Sequence, residues 1–441
     1  MQINYKNIWT MSYPILISML MQQLIGITDI IFLGRLGEVE LGASALGSTY
    51  FFTIFMVAFG FSIGSQIVMS RRNGEHNYDK IGMVFYQGCS FLIFLAILFI
   101  LLSHFFTPVL LNVLIKSEDI YDATLKYVNW RVLGLFGASL IVMSRSFFVS
   151  IIQTKVLSYV SVVMVLSNIM LNYILIFGKF GAPKLGISGA AIASNLAEIM
   201  AVLAYVVYFV TKVDVKKYAL TKFVYKNFKL LKSVLDVSIW TMLQQFVSVA
   251  TWFLFFIAIE HLGERELAIS NIVRSLSSFP FVLVNAFAAT ASSVTGNLIG
   301  ENKSSEVLPS NIKIMRLCGT ITGIMLVIMS VGYYPFLRLY TDNNELITQS
   351  VLTYLFMLGS FIPFIPAWLI FNALSGTGNT RYAMKIEFIS MIIYMSYVLV
   401  VIEYLKLSLP VCWLADWVYN FAILFLSWNY MFSYKWCNKK V

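Results

Sequence analysis

Charge is scarce in this chain. Asp, Glu, Lys and Arg make up 12% of its 441 residues, while 59% are hydrophobic and the mean hydropathy is +0.81. A soluble domain carries about 25% charged residues. A water-facing surface of matching size is therefore excluded, and an integral membrane protein is the class that fits. Histidine is scarcer still, limited to His76, His104 and His261. Neither an H-E-x-x-H helix nor a nucleophile-elbow turn occurs, which speaks against an enzyme. The four cysteines, Cys89, Cys318, Cys412 and Cys437, show no metal-ligand or redox spacing and read as ordinary apolar residues. Strand-like alternation is missing, so a membrane β-barrel is excluded as well.

What remains is a series of apolar segments of about 20 residues, each long enough as a helix to cross about 30 Å of hydrocarbon. Twelve are predicted, near 12–33, 46–69, 86–107, 127–152, 156–177, 187–211, 236–259, 271–299, 311–335, 351–375, 384–405 and 410–433. The first is too long for a signal-peptide core and lacks a small-residue cleavage site, so it is expected to stay as a helix.

Orientation follows from the basic residues. One set of connections carries Arg71, Arg72 and Lys80, then Lys155, then seven lysines from Lys212 to Lys232 including Lys222 and Lys226, then Lys303, Lys313 and Arg316, then Arg381 and Lys385, and last Lys435, Lys439 and Lys440. The alternate set is mixed or acidic, with Glu38 and Glu40, Glu118 and Asp119, Glu264 and Glu266, and Asp342 with Glu345. Positive residues stay in the cytoplasm, which predicts a multi-pass protein of the cytoplasmic (inner) membrane with both termini cytoplasmic. The net charge of +10 is mostly this bias. Its spread over separate segments does not suggest a nucleic-acid partner.

The chain repeats itself. "LGEVEL" at Leu36–Leu41 returns as "LGEREL" at Leu262–Leu267, a shift of 226 (262 − 36). Gly74-Glu75 returns as Gly300-Glu301 and Thr154-Lys155 as Thr380-Arg381 at the same shift. Two six-helix lobes, 1–211 and 236–441, joined by a basic cytoplasmic linker at 212–235, are the expected domains. With six helices each, the lobes face the same way and are related by a pseudo-two-fold axis along the membrane normal. Such repeats mark transporters, with the substrate site between the halves and rocking of the halves giving alternating access.

Polar residues inside the segments point to chemistry. Asp29 sits about five residues before the outer end of helix 1. Asn168 and Asn172 share one face of helix 5, being four apart, and Ser194 lies about seven residues into helix 6. At about 1.5 Å per residue, Asp29, Asn172 and Ser194 fall at similar depth. Intramembrane carboxylates are costly and usually face a cavity where they work. Held away from water, Asp29 could exchange a proton, or the oxygens together could hold a hard cation such as sodium. Shifted by 226, Asp29, Asn168, Asn172 and Ser194 fall on Phe255, Tyr394, Val398 and Asn420. This predicts a single coupling site, in the first half. Arg145 and Glu198 are expected either to pair as a structural bridge or to act in gating. Asp416 is a candidate contact for a cationic substrate or a hydrated interfacial residue. Gln22 and Gln244 bond neighbouring helices or line a cavity, and Glu260, His261 and Glu387 read as solvated helix ends. With 36 Phe, 24 Tyr, 9 Trp and 20 Met, a cavity could suit planar organic cations.

These residues resemble those of the multidrug and toxic compound extrusion (MATE) transporters. The likeness runs through Pro14, "TDIIFLGRLG" from Thr28, "LGASALG" from Leu41, "GFSIGSQIVMSRRNGE" from Gly60, "RSFFVSIIQTK" from Arg145, "SNIMLNYILIFGKFG" from Ser167, "LGISGAAIAS" from Leu185 and "LSGTGNTR" from Leu374. The resemblance implies two six-helix lobes in a V shape and export of small organic cations or drugs driven by inward sodium or proton flow; a monomer without cofactor is expected. It matches the family's helix 1 acid to Asp29, with Asn168, Asn172 and Ser194 as partners in a first-lobe cation site. Asn172 replaces an aspartate some members carry. The helix 7 glutamate of one branch falls on Ser248 and its helix 10 aspartate near Phe364, so the resemblance gives no second-lobe coupling. The rival reading is a lipid-linked saccharide flippase of related fold, which needs a basic cavity for pyrophosphate. Arg145 is the only deep basic residue the segments offer. A pore without coupling is disfavoured by a buried Asp29.

Overall fold

A computed structural model of the chain describes residues 3–220 and 228–437. Lys222, Lys226, Lys439 and Lys440, part of the expected basic bias, lie outside the described residues. Among those described, twelve helices are long and apolar enough to cross a membrane, and no strand occurs. They are α1 Tyr5–Gly34, α2 Glu38–Gly74, α3 Tyr78–Leu114, α4 Glu118–Ser150, α5 Lys155–Phe177, α6 Ile187–Lys212, α7 Phe228–Glu260, α8 Glu264–Gly300, α9 Ser304–Val331, α10 Asn344–Gly376, α11 Thr380–Tyr404 and α12 Leu409–Phe432. In hydrocarbon every backbone N–H and C=O needs an internal partner, which a helix supplies along its own length.

All twelve helices fall on the apolar segments, but several run well beyond them. α2, α3 and α8 each have 37 residues, about 55 Å at 1.5 Å per residue. Helical hydrogen bonding continues past the apolar core until a cap stops it. Residues 228–235, assigned by composition to the linker, belong to α7. The start of α4 lies at Glu118, nine residues before the expected 127 (127 − 118). Ser117 caps it, with Ser117 Oγ accepting from Ile120 N at 3.5 Å, and Glu118 and Asp119 complement the helix dipole in the first turn.

The duplication is written into the helix ends. α2 and α8 start 226 apart (264 − 38) and end 226 apart (300 − 74). So do the starts of α4 and α10 (344 − 118) and their ends (376 − 150). Left-handed backbone recurs at the same shift: His76 (φ 56°) matches Asn302 (φ 60°), and Ile152 (φ 63°) matches Gly378 (φ 86°). At three of these stops an N–H reaches back over five residues: Asn77 N to Arg72 O at 2.9 Å, Gln153 N to Phe148 O at 2.9 Å, and Lys303 N to Leu298 O at 2.8 Å. That bond closes helix ends whose carbonyls would otherwise lack donors.

The chain divides into two compact units, Tyr13–Met242 and Met1–Ser12 with Leu243–Val441. α1 therefore changes unit beside Pro14, which cannot donate to the preceding turn. Within Tyr13–Met242, α5 packs along α6, and α4 lies against both α2 and α6. Within the other unit the equivalent pairs meet: α11 with α12, and α10 with both α8 and α12. A core cluster of Leu33, Tyr127, Val128, Ile176, Ile187, Ala190 and Ala191 ties α1, α4, α5 and α6 together at one end of the first unit.

Ile152 is β-branched and sits where its counterpart is Gly378, in a conformation that costs an L-residue about 1–2 kcal/mol. Asn tolerates that conformation better than Ile. Ile152→Asn is expected to raise the unfolding temperature of the purified protein and Gly378→Ile to lower it, as read by thermal unfolding in detergent. Equal shifts of one sign would contradict the strain.

Candidate functional site

Four of the singled-out residues meet in one ring inside the unit Tyr13–Met242. Asn172 Nδ2 donates to Asp29 Oδ1 at 2.6 Å and to Asn168 Oδ1 at 3.0 Å. Asn168 Nδ2 donates to Ser194 Oγ at 3.2 Å, and Ser194 Oγ donates to Asp29 Oδ2 at 3.4 Å. Two acceptors face the Nδ2 end of Asn172, which sets the orientation of its amide. Asn168 and Asn172 are fully buried, Ser194 is buried, and Asp29 is half-buried. The cluster thus has one carboxylate bordering accessible space and a neutral back wall. Thr28 Oγ1 lies 3.5 Å from Asn168 Oδ1, and its firmer bond is to Ile25 O at 2.9 Å.

The geometry comes from helix periodicity. Positions 168 and 172 stack on one face of α5, and α1, α5 and α6 are held together just beyond them by Leu33, Ile176 and Ile187. One acceptor in the cluster is unused: Asn172 Oδ1 is buried with no hydrogen-bond partner. Native buried acceptors rarely stay empty. Together with the two Asp29 oxygens, it offers oxygen ligands to a small cation, while Asp29 alone offers a place for a proton.

A second polar cluster lies beside the first, and it corrects an expectation. Glu198 pairs with Arg131, not with Arg145. Arg131 Nη2 stands 2.6 Å from Glu198 Oε1, and Nη1 is 3.3 Å from Oε2 and 2.8 Å from Asn195 Oδ1. Asn195 Nδ2 in turn donates to Trp130 O at 2.6 Å, and the guanidinium lies 3.6 Å over the Phe51 ring. The reason is depth. α4 and α6 both start at the same end, so Arg131 and Glu198 sit roughly 15–20 Å in, whereas Arg145 is about 21 Å further along α4. Arg145 instead lies 5.7 Å over the ring of Phe59. The apolar run begins near Arg131, so composition alone marks that residue as terminal. The Ser117 cap with its acidic first turn was the available signal that α4 starts earlier. The pair needs room, which Gly134 gives: a Cβ there would meet Arg131, Asn195 and Glu198 together. Both Arg131 and Glu198 act electrostatically on Asp29.

The remaining candidates are placed as follows. Gln22 is exposed and Gln244 is buried. Asp416 is half-buried on α12 and acts electrostatically on Tyr394 and Tyr419. Glu260 and His261 are exposed, with His261 Nδ1 2.7 Å from Glu403 Oε1. Glu387 is not a solvated helix end. It is 1% exposed, and its Oε1 accepts from Ser248 Oγ at 2.8 Å and Tyr419 OH at 2.6 Å. It lies about 10 Å inside α11, on the face turned to α7 and α12.

Breaking a buried ion pair from one side strands a charge, at about 3–5 kcal/mol. Arg131→Ala is therefore expected to lower the thermal stability of the purified protein far more than Arg131→Ala combined with Glu198→Gln. Arg145→Ala should cost little. Thermal unfolding of the three variants checks the order.

Comparison with known proteins agrees with this architecture. The family model MatE matches residues 14–174 and 226–400, well over half of the chain. The two matches end 226 apart (400 − 174), the shift found in the sequence. A protein of Photorhabdus laumondii named "Probable multidrug resistance protein NorM" is 26% identical over 346 residues, covering 78% of this chain and 75% of the relative. One of Thermotoga maritima with the same name is 24% identical over 447 residues, covering 99% and 94%. Among solved structures, a MOP superfamily transporter from Pyrococcus furiosus superposes with a TM-score of 0.88 at 18% identity, covering 99% of this chain and 97% of that one. An outward-facing multidrug resistance MATE family transporter also gives 0.88 at 18%, covering 97% and 95%. At that identity the likeness is one of fold. Twelve membrane-long helices, the internal repeat and the family match lead to one statement: the chain belongs to the MatE family, whose members are membrane transporters and not enzymes.

Proposed function

We propose that the protein is a cation-coupled antiporter that exports small organic molecules, cationic and aromatic in character, across the inner membrane. Multidrug resistance is what the relatives' names describe, and the aromatic-rich composition is compatible with such cargo. The coupling ion, sodium or proton, binds at Asp29 with Asn168, Asn172 and Ser194 around it. The observation that carries this reading is the ring that joins a half-buried carboxylate of α1 to three buried side chains of α5 and α6, with the Asn172 Oδ1 acceptor left open.

The ring explains how an ion could do mechanical work. The same carboxylate that binds the ion accepts the hydrogen bonds that hold α1 to α5 and α6. Neutralising Asp29 weakens charge-assisted bonds and so changes the packing of those three helices. A ligand shifts a conformational balance only by its differential affinity for the two states, and a site built across three helices has such a difference when the helices move. Both termini are on the cytoplasmic side in this reading, following the basic connections.

Dye efflux from proteoliposomes, with sodium and pH gradients imposed separately, tests the proposal. Gradient-driven efflux is expected in the parent and is expected to fall about tenfold or more in Asp29→Asn, as the loss of a charged hydrogen-bonded contact implies. Asn172→Ala should show a smaller loss. Efflux that follows neither gradient would remove antiport, and full activity in Asp29→Asn would remove the site.

A further inference from the structure

The unit holding Leu243–Val441 has no copy of the Asp29 ring. It has a different buried acid. Glu387, on α11, matches Ser161 of the other unit at the shift of 226 (387 − 161), where Ser161 Oγ donates to Ser18 Oγ at 2.7 Å. In place of that neutral pair stand a carboxyl and two hydroxyl donors: Ser248 of α7 and Tyr419 of α12, both on Oε1.

The other carboxyl oxygen is the informative atom. Glu387 Oε2 is buried with no hydrogen-bond partner. Ser390 Oγ, one turn along the same helix and fully buried, also has none. The charged environment offers no compensation. Among the described residues, Tyr419 is the ionisable side chain that acts on Glu387, and Asp416, one turn from Tyr419, acts on Tyr419 and Tyr394. α7 from Leu243 to Ile259 and α10 from Val351 to Gly376 carry no Asp, Glu, Lys, Arg or His. On α11 itself, Arg381 and Lys385 are exposed.

A carboxylate held out of water without a cationic partner is neutralised or binds a cation. A hard metal ion takes about six oxygens, and this pocket leaves two of them open. We propose that Glu387 binds a proton on Oε2, in a site built by Ser248 and Tyr419 and separate from the Asp29 ring. With the proton in place, Oε1 is a carbonyl oxygen using both lone pairs on hydroxyl donors, and Oε2 carries the proton instead of a charge. The acid then keeps both hydroxyl donors on Oε1 and carries no charge into the apolar interior. Release of the proton leaves a charge that the pocket cannot stabilise, so release requires water to reach Glu387. The protonation state of Glu387 is thereby tied to the opening of its own unit. This extends the reading of a cation-coupled transporter, and its test reads the acid itself, so a failure of Asp29 to couple transport would leave it intact.

The test is infrared difference spectroscopy of the full chain in lipid bilayers, stepping the buffer from mildly acidic to mildly alkaline. A carbonyl band of a protonated carboxylic acid is expected to be lost on the alkaline step in the parent, in Asp29→Asn and in Asp416→Asn. It is expected to be absent throughout in Glu387→Gln. Ser248→Ala and Tyr419→Phe, which keep the acid but remove one donor each from its carbonyl oxygen, should move the band to higher frequency. An unchanged band in Glu387→Gln overturns the proposal. So does a band that ignores both donor variants, which covers the case of a Glu387→Gln protein that does not fold. A band abolished by replacing choline with sodium at constant pH also overturns it, because the site would then hold a metal cation.

Discussion

Hydrogen bonding between side chains of different helices, inside an apolar surround, is the interaction on which this structure turns. In hydrocarbon a polar atom has no water to fall back on, so each one that enters the bundle must bring or find a partner. Asp29 is tolerated because Asn172 and Ser194 donate to it, and they are in position because Asn168 braces both. Arg131 is tolerated because Glu198, Asn195 and the Phe51 face surround it. Each cluster links helices that apolar contact alone would let slide, since lipid tails pack against an apolar helix about as well as another helix does. Among the buried polar atoms left without hydrogen-bond partners are Asn172 Oδ1, beside Asp29, and Glu387 Oε2.

The two halves share a scaffold and differ in what the scaffold holds. Helix stops recur at 226 residues to the position, down to the left-handed residues that end α2 and α8. Those features are backbone requirements: an uncapped helix end carries carbonyls without donors wherever it occurs. Side chains on the helix faces carry no such obligation. The asparagines and serine of the first unit become Tyr394, Val398 and Asn420 in the second, and Ser161, bonded to Ser18, becomes Glu387, bonded to Ser248 and Tyr419. Duplication copied the framework, and the polar chemistry diverged separately in each copy.

Much of this was legible from residue order. The spacing of Asn168 and Asn172 and the counted depth of Asp29 and Ser194 were enough to bring the four residues together, because a straight helix turns sequence distance into depth at a known rise. The same counting failed for Arg131. Apolar runs mark where lipid begins, and α4 had already made more than two turns before that point, so a residue that looked terminal is largely covered, its side chain 12% exposed. It failed for Glu387 in a related way. Nearness to a basic connection read as solvation, yet the carboxyl is turned inward toward Tyr419 and Ser248.

Sequence by itself determined the helix count, the duplication, most C-terminal helix ends within about a turn, and which residues of α1, α5 and α6 lie at one level, while most helix starts came about two turns earlier than the apolar runs. These follow from hydrophobic length, repeat register and helical rise, all of which are local. Tertiary structure decided which charges pair and which way each polar side chain turns. It chose Arg131 over Arg145 for Glu198, and it placed Glu387 inside with one oxygen unfilled. Partner choice depends on rotation about each helix axis and on contacts between helices far apart in the chain, and no local pattern encodes either.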